Sequence, residues 1–79
     1  MDKIDTSIIR ANMRRFRENA GMKQRDVAEK MDVTIATVSK WEANPGSVKM
    51  LHMAQMAQLY GCNIRDFFVG CDLPIRQNG

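Results

Sequence analysis

Residues 24–42, QRDVAEKMDVTIATVSKWE, decide how this chain folds. Val27, Ala28 and Met31 share one face of a first short helix, at spacings of one and three. Asp32-Val33 then breaks the pattern, and Thr34 is placed to cap a second helix. In that second helix Val38 and Trp41, three apart, turn inward, while Thr34, Thr37 and Lys40, also three apart, line another face. The stretch reads as two short helices joined by a tight turn.

Working outward, residues 1–7 are polar and read as an N-terminal arm, with Thr6 or Ser7 as the cap of a helix over 7–19. Ile9, Met13, Phe16 and Ala20 recur at four, three and four as its apolar stripe. Arg10, Arg14, Arg15, Arg17 and Glu18 are assigned to the opposite face. Gly21 suits the helix end, since glycine alone takes the left-handed conformation without strain. Met22 packs inward before helix two begins at Lys23 or Gln24, and Asp26 lies in its first turn, where negative charge suits the dipole. After helix three, Ala43-Asn44-Pro45-Gly46 is a loop, and Ser47 is a candidate cap. Met50, Met53, Ala54, Ala57 and Tyr60 mark helix four over 49–60, closed by Gly61. Asn63, with Asp66 three later, resembles a capping box for a fifth short helix carrying Ile64, Phe67 and Phe68. The expected organisation is all-α: an arm over 1–7, one five-helix domain over 8–69 and a tail over 70–79.

Seventy-nine residues suit one small domain. An apolar content of 44% with only 6% aromatics allows a core of Met, Val, Ile, Leu and Ala, but no large enzyme cleft. Seven methionines read as flexible gap-fillers of that core. The net charge is +3, and its position matters more than its size. Over 10–49 nine Lys/Arg stand against five Asp/Glu; elsewhere three stand against four. Excess positive charge therefore surrounds the two-helix stretch. Arg14 and Arg15 read as a solvated face. Cys62 and Cys71, nine apart, match no zinc or CxxC spacing, and His52 has no partner at ligand spacing. They read as reduced thiols and a packed histidine. No nucleophile–base pair, glycine-rich phosphate loop, metal spacing or cofactor motif occurs, so neither catalysis nor a cofactor is expected. The N-terminus carries acidic residues and no signal-peptide run, and no stretch approaches a membrane span. A cytoplasmic, nucleoid-associated location is expected, with no membrane partner.

Residues 9–68 resemble the phage-repressor and Cro-like, or XRE-type, helix-turn-helix family. The resemblance rests on Gly21-Met22, Gln24 and Val27-Ala28, then Val33-Thr34, then Thr37-Val38-Ser39-Lys40-Trp41-Glu42, with Gly61 closing helix four. It implies a lambda-repressor-like fold with the helix-turn-helix at helices two and three. It also implies a sequence-specific transcriptional regulator, a repressor in preference to an activator, that inserts helix three into the major groove of double-stranded DNA as a homodimer. Carried over by position, the DNA-binding residues are Gln24, Thr34, Ile35, Ala36, Thr37, Ser39 and Lys40. Lys23, Asn44 and Lys49 flank them as phosphate contacts, and Arg17 with Glu42 forms a structural pair. Two places depart from the family. Lys23 stands where a Ser/Thr cap is usual, and Ile35-Ala36 stand where many relatives carry Gln, Arg or Ser. Apolar side chains there touch thymine methyls instead of purine acceptors. The alternative is an antitoxin or accessory protein-interaction module on the same fold, with a protein partner. The short tail, Cys71-Asp72-Leu73-Pro74-Ile75, suits a dimer seam of Phe68, Val69 and Leu73 better than a toxin-wrapping segment.

Overall fold

The computed structural model describes residues 5–71. They form four α-helices, α1 (Thr6–Asn19), α2 (Gln24–Met31), α3 (Ile35–Ala43) and α4 (Met50–Tyr60), with 3-10 helices at Pro45–Ser47 and Ile64–Phe68, and no strand among the described residues. The fifth helix is thus a single 3-10 element, and the loop after α3 contains another. Both are too short to close a run of i to i−4 bonds.

Helix α1 starts one residue ahead of the expected bound, because Asp5 caps it instead of Thr6 or Ser7. The Asp5 carboxylate accepts the Ser7 N–H at 3.0 Å and the Ser7 hydroxyl at 2.5 Å. Those two bonds hold its carboxyl below the ordinary carboxylate range. The buried face is Ile9, Asn12, Met13 and Arg17, with Phe16 half-buried. Ala20 is exposed at the C-cap, and Arg17 is not on the solvent face. A stripe counted from apolar side chains alone hides its two polar members, Asn12 and Arg17. Asn12 is buried because its amide nitrogen donates to the carbonyls of Phe67 and Val69, both at 2.9 Å, and so clamps the last 3-10 helix onto α1.

Helix α2 stops at Asp32, which sits in the left-handed region at φ 57°. The Val33 N–H then reaches the Ala28 carbonyl at 3.0 Å, and α3 restarts after Thr34. In α4 the buried positions are Met53, Met56, Ala57 and Tyr60. Met50, 77% exposed, and the exposed Ala54 are therefore off the core stripe expected for them. Ser47 does not cap α4. Its hydroxyl donates to the Asn44 carbonyl, and Lys49 precedes the helix with no side-chain cap. Gly61 ends α4 at φ 75°. The Asp66 carboxylate then accepts the Asn63 N–H at 2.9 Å and opens the final element. Phe67 is fully buried, edge-on to both Phe16 and Tyr60 at 6.1 Å.

The core gathers Met13, Val27, Val38, Met56 and Phe67, all without exposure, and Trp41, which stacks on His52 at 4.8 Å. Beside it lies a buried ion pair. Arg17 Nε donates to Glu42 Oε2 at 2.5 Å, Nη2 to Oε1 at 3.3 Å and Nη1 to the Met22 carbonyl at 2.9 Å. Gln24 Nε2 adds a bond to Glu42 Oε1 at 3.0 Å. One carboxylate thus ties the ends of α1 and α3 to the start of α2. The Tyr60 hydroxyl is buried without a hydrogen-bond partner among the described residues, and burial pushes its pKa up.

Glu42→Ala strands the Arg17 guanidinium in the core and is expected to cost about 3–5 kcal/mol, enough to unfold a domain this small. Arg17→Met combined with Glu42→Leu is expected to recover most of that loss, and a double-mutant cycle on thermal unfolding reads the difference. A double variant as unstable as Glu42→Ala would show that the tie is irreplaceable. Asp32 carries a side chain in left-handed backbone and a negative charge at a helix C-terminus, both unfavourable. Asp32→Gly is therefore expected to stabilise by about 0.5–1 kcal/mol and to raise Tm by a few degrees. A lowered Tm would mean the carboxylate has a role of its own.

Candidate nucleic-acid interface

The inward pull of Val38 and Trp41 sets the roll of α3 about its axis. Ala36, Ser39, Lys40 and Ile35, the last 46% exposed, are left facing solvent. Thr37 is half-buried. Thr34 Oγ1 accepts the Thr37 N–H at 3.1 Å and lies 2.8 Å from the Thr37 hydroxyl, so the two threonines close the helix start together. No acidic residue lies in the first turn of α3, and the helix dipole adds partial positive charge there.

The start of α2 lies close to this face, because Gln24 reaches Glu42. Its amide nitrogen points inward to that carboxylate, which leaves the side-chain oxygen as the outward-capable group. Lys23 is exposed. Its backbone N–H donates to the Asp26 carboxylate at 2.8 Å, half of a capping box. The reciprocal half is missing because an ammonium has no acceptor. Asn44 and Lys49 are exposed on either side of the Pro45–Ser47 turn. The Asn44 carbonyl is occupied by the Ser47 N–H and hydroxyl, while no hydrogen bond engages its side-chain amide among the described residues.

The approach of α1 to this surface escapes a reading of the sequence alone. Arg10 Nη1 donates to the Ala43 carbonyl at 3.4 Å, which brings the basic side of α1 against the C-terminal end of α3. Arg14 pairs with Glu18 at 3.2 Å, both well exposed. Only the packing angle of α1 on α3 puts these arginines beside the face of α3, and no spacing in the sequence encodes that angle.

Phe68, 38% exposed, and Val69, 62% exposed, lie on the surface, as do Met50 and Leu51; Leu73 lies outside the described residues. Burial pushes the Cys62 thiol up, opposite to the shift an activated nucleophile needs. Among the described residues no group of three or more His, Cys, Asp or Glu is placed to hold a metal ion, and no helix is long and apolar enough to cross a membrane.

No curated protein and no solved structure matches the chain significantly. A helix-turn-helix family model matches residues 13–67, from the second half of α1 to the last 3-10 helix and more than two-thirds of the chain. That match, with the four-helix architecture that carries it, makes the chain a member of the XRE-type helix-turn-helix family, the phage-repressor and Cro-like group.

Proposed function

We propose that this protein is a DNA-binding transcription regulator, acting as a repressor by occupying an operator as a homodimer, with α2 and α3 as its helix-turn-helix. The family supports DNA binding. The observation that carries the finer reading is the outward face of α3, where Ile35, Ala36, Ser39 and Lys40 are exposed while Val38 and Trp41 anchor the helix in the core. A helix about 10–12 Å across fits a major groove about 12 Å wide, and these are the side chains that would meet base edges. Lys40 supplies a donor for guanine O6/N7 or for a phosphate, Ser39 a small adaptable hydroxyl, and Ile35 and Ala36 contact with thymine methyls. Thr34, Thr37, Lys23, Asn44 and Lys49 fall to the backbone, with Gln24 held by Glu42 at the edge of the face.

The remaining assignments follow from the same reading. The working unit is a lambda-repressor-like domain over 8–69 with an arm at 1–7 and a tail at 70–79. The protein works on the nucleoid in the cytoplasm and is not an enzyme. The homodimer draws support from exposed Phe68 and Val69, and from an apolar groove of about 330 Å³ between α1, the Pro45 turn and the last 3-10 helix, lined by Ile9, Val48, Met50, Met53 and Phe68. Apolar surface of this kind is what a second copy would cover. The same surface would serve a toxin or another protein partner if the fold were used as an antitoxin or accessory module.

A random-sequence duplex selection is expected to return an operator with two half-sites. Lys40→Glu is expected to weaken binding to it by about tenfold to a hundredfold while leaving the helical circular dichroism unchanged. Undiminished binding would mean that α3 is not the reading helix. Phe68→Arg is expected to turn a sedimenting dimer into a monomer; an unchanged dimer mass would place the seam elsewhere. A monomeric wild type that selects no duplex would favour the protein-interaction role.

A further inference from the structure

The basic side of α1 has no part in the reading above, yet it borders the candidate interface directly. Between α1 and the C-terminal half of α3 lies a cleft of about 420 Å³ whose lining includes Arg10, Ala11, Arg14, Ser39, Glu42 and Ala43. Ser39 belongs both to this cleft and to the exposed face of α3. The cleft therefore opens beside that face.

We propose that this cleft seats one backbone phosphodiester of the bound duplex, held by Arg10 and Arg14, and this rests on α3 entering the major groove. A helix nearly as wide as the groove leaves the groove walls, which are phosphates, to whatever flanks the helix. On the Ser39 and Ala43 side the flanking element is α1.

The donor inventory fits such a guest. Each guanidinium carries five N–H groups in a planar fork that matches two phosphate oxygens. Arg10 commits one of them, to the Ala43 carbonyl at 3.4 Å. Arg14 commits its Nε to Glu18 in a pair whose side chains are 68% and 56% exposed, a weak contact that a phosphate can displace. One turn apart on α1, the two forks rise from the same face.

The carboxylates nearby do not repel the guest in proportion to their number. Both Glu42 oxygens are taken by Arg17 and Gln24, and the Asp5 carboxylate is taken by Ser7. The cleft thus presents guanidinium donors beside a Glu42 carboxylate neutralised by Arg17, while Asp5 and a Glu18 displaced from Arg14 keep their charge outside the cleft lining. Its two guanidinium forks fit a phosphodiester.

The test measures duplex affinity against salt for the wild type, for Arg10→Ala with Arg14→Ala, and for the corresponding pair of lysine substitutions. Both arginines are exposed, so the fold is expected to survive, and circular dichroism checks it. The alanine pair is expected to weaken every duplex about tenfold, without changing which sequence is preferred. It is also expected to flatten the slope of log affinity against log salt by about 0.9, the share of one phosphate. The lysine pair is expected to restore the slope but only part of the affinity, since an ammonium lacks the fork.

An unchanged slope and affinity in the alanine pair, alongside a loss of binding in Lys40→Glu, overturns this proposal and leaves the regulator reading intact. A wild type that binds no duplex overturns both. Inorganic phosphate titrated into the DNA-free protein, read at the arginine Nε–H resonances, addresses the other source of the same chemistry. Saturation at low millimolar phosphate, together with an unaltered duplex slope, would reassign the cleft to a free phosphate-bearing ligand and overturn the duplex assignment.

Discussion

The geometry of this domain hangs on one buried carboxylate. Glu42 receives two bonds from Arg17 and one from Gln24, while Arg17 also reaches the Met22 carbonyl. Burying both charges is costly in isolation, and apolar residues of the same volume would hold three helices together at least as well. A greasy contact, however, tolerates rotation and sliding. Directional bonds made near the end of α1, at the start of α2 and near the end of α3 do not. They set the angle at which α3 leaves the core, and hence which of its side chains face outward.

That outward face is unusual in chemistry more than in shape. Its start carries Ile35 and Ala36, and its end carries Lys40, with the hydroxyl of Ser39 between. The strongly polar groups of the surface stand around it: Lys23 at the head of α2, Lys49 before α4, and Arg10 and Arg14 across the cleft from Ser39. A basic frame about a weakly polar centre divides two tasks. The frame would fix position on a backbone, and the centre would discriminate through shape and methyl groups.

The helices were legible in the sequence wherever an apolar period met a clear stop. Val27, Ala28 and Met31 followed by Asp32-Val33 mark the end of α2 at the residue where it occurs, and Val38 with Trp41 gives the inward side of α3. Reading failed where a polar side chain did the work of an apolar one. Asn12 is a core residue because of the carbonyls of Phe67 and Val69 that it meets, and Arg17, which spacing puts on the outer face, is placed correctly only by the family resemblance that pairs it with Glu42. In α4 the error ran the other way, since Met50 and Ala54 look like stripe members by type and yet lie outside it. The candidate face of α3 could be read from spacing within one helix. Its neighbours on α1 could not, because they depend on how two helices cross.

Ile35 also bears on how binding would respond to heat. In the free protein this side chain is nearly half in water. A partner that covers it and Ala36 removes apolar surface from solvent, which gives association a negative heat-capacity change. Near room temperature that part of the driving force is entropic, and it weakens on cooling. Contacts to phosphates add the entropy of released counterions. Occupancy of such a site near room temperature would be held by disorder gained in the surrounding water and salt more than by the strength of individual bonds, with an affinity that peaks where the binding enthalpy passes through zero.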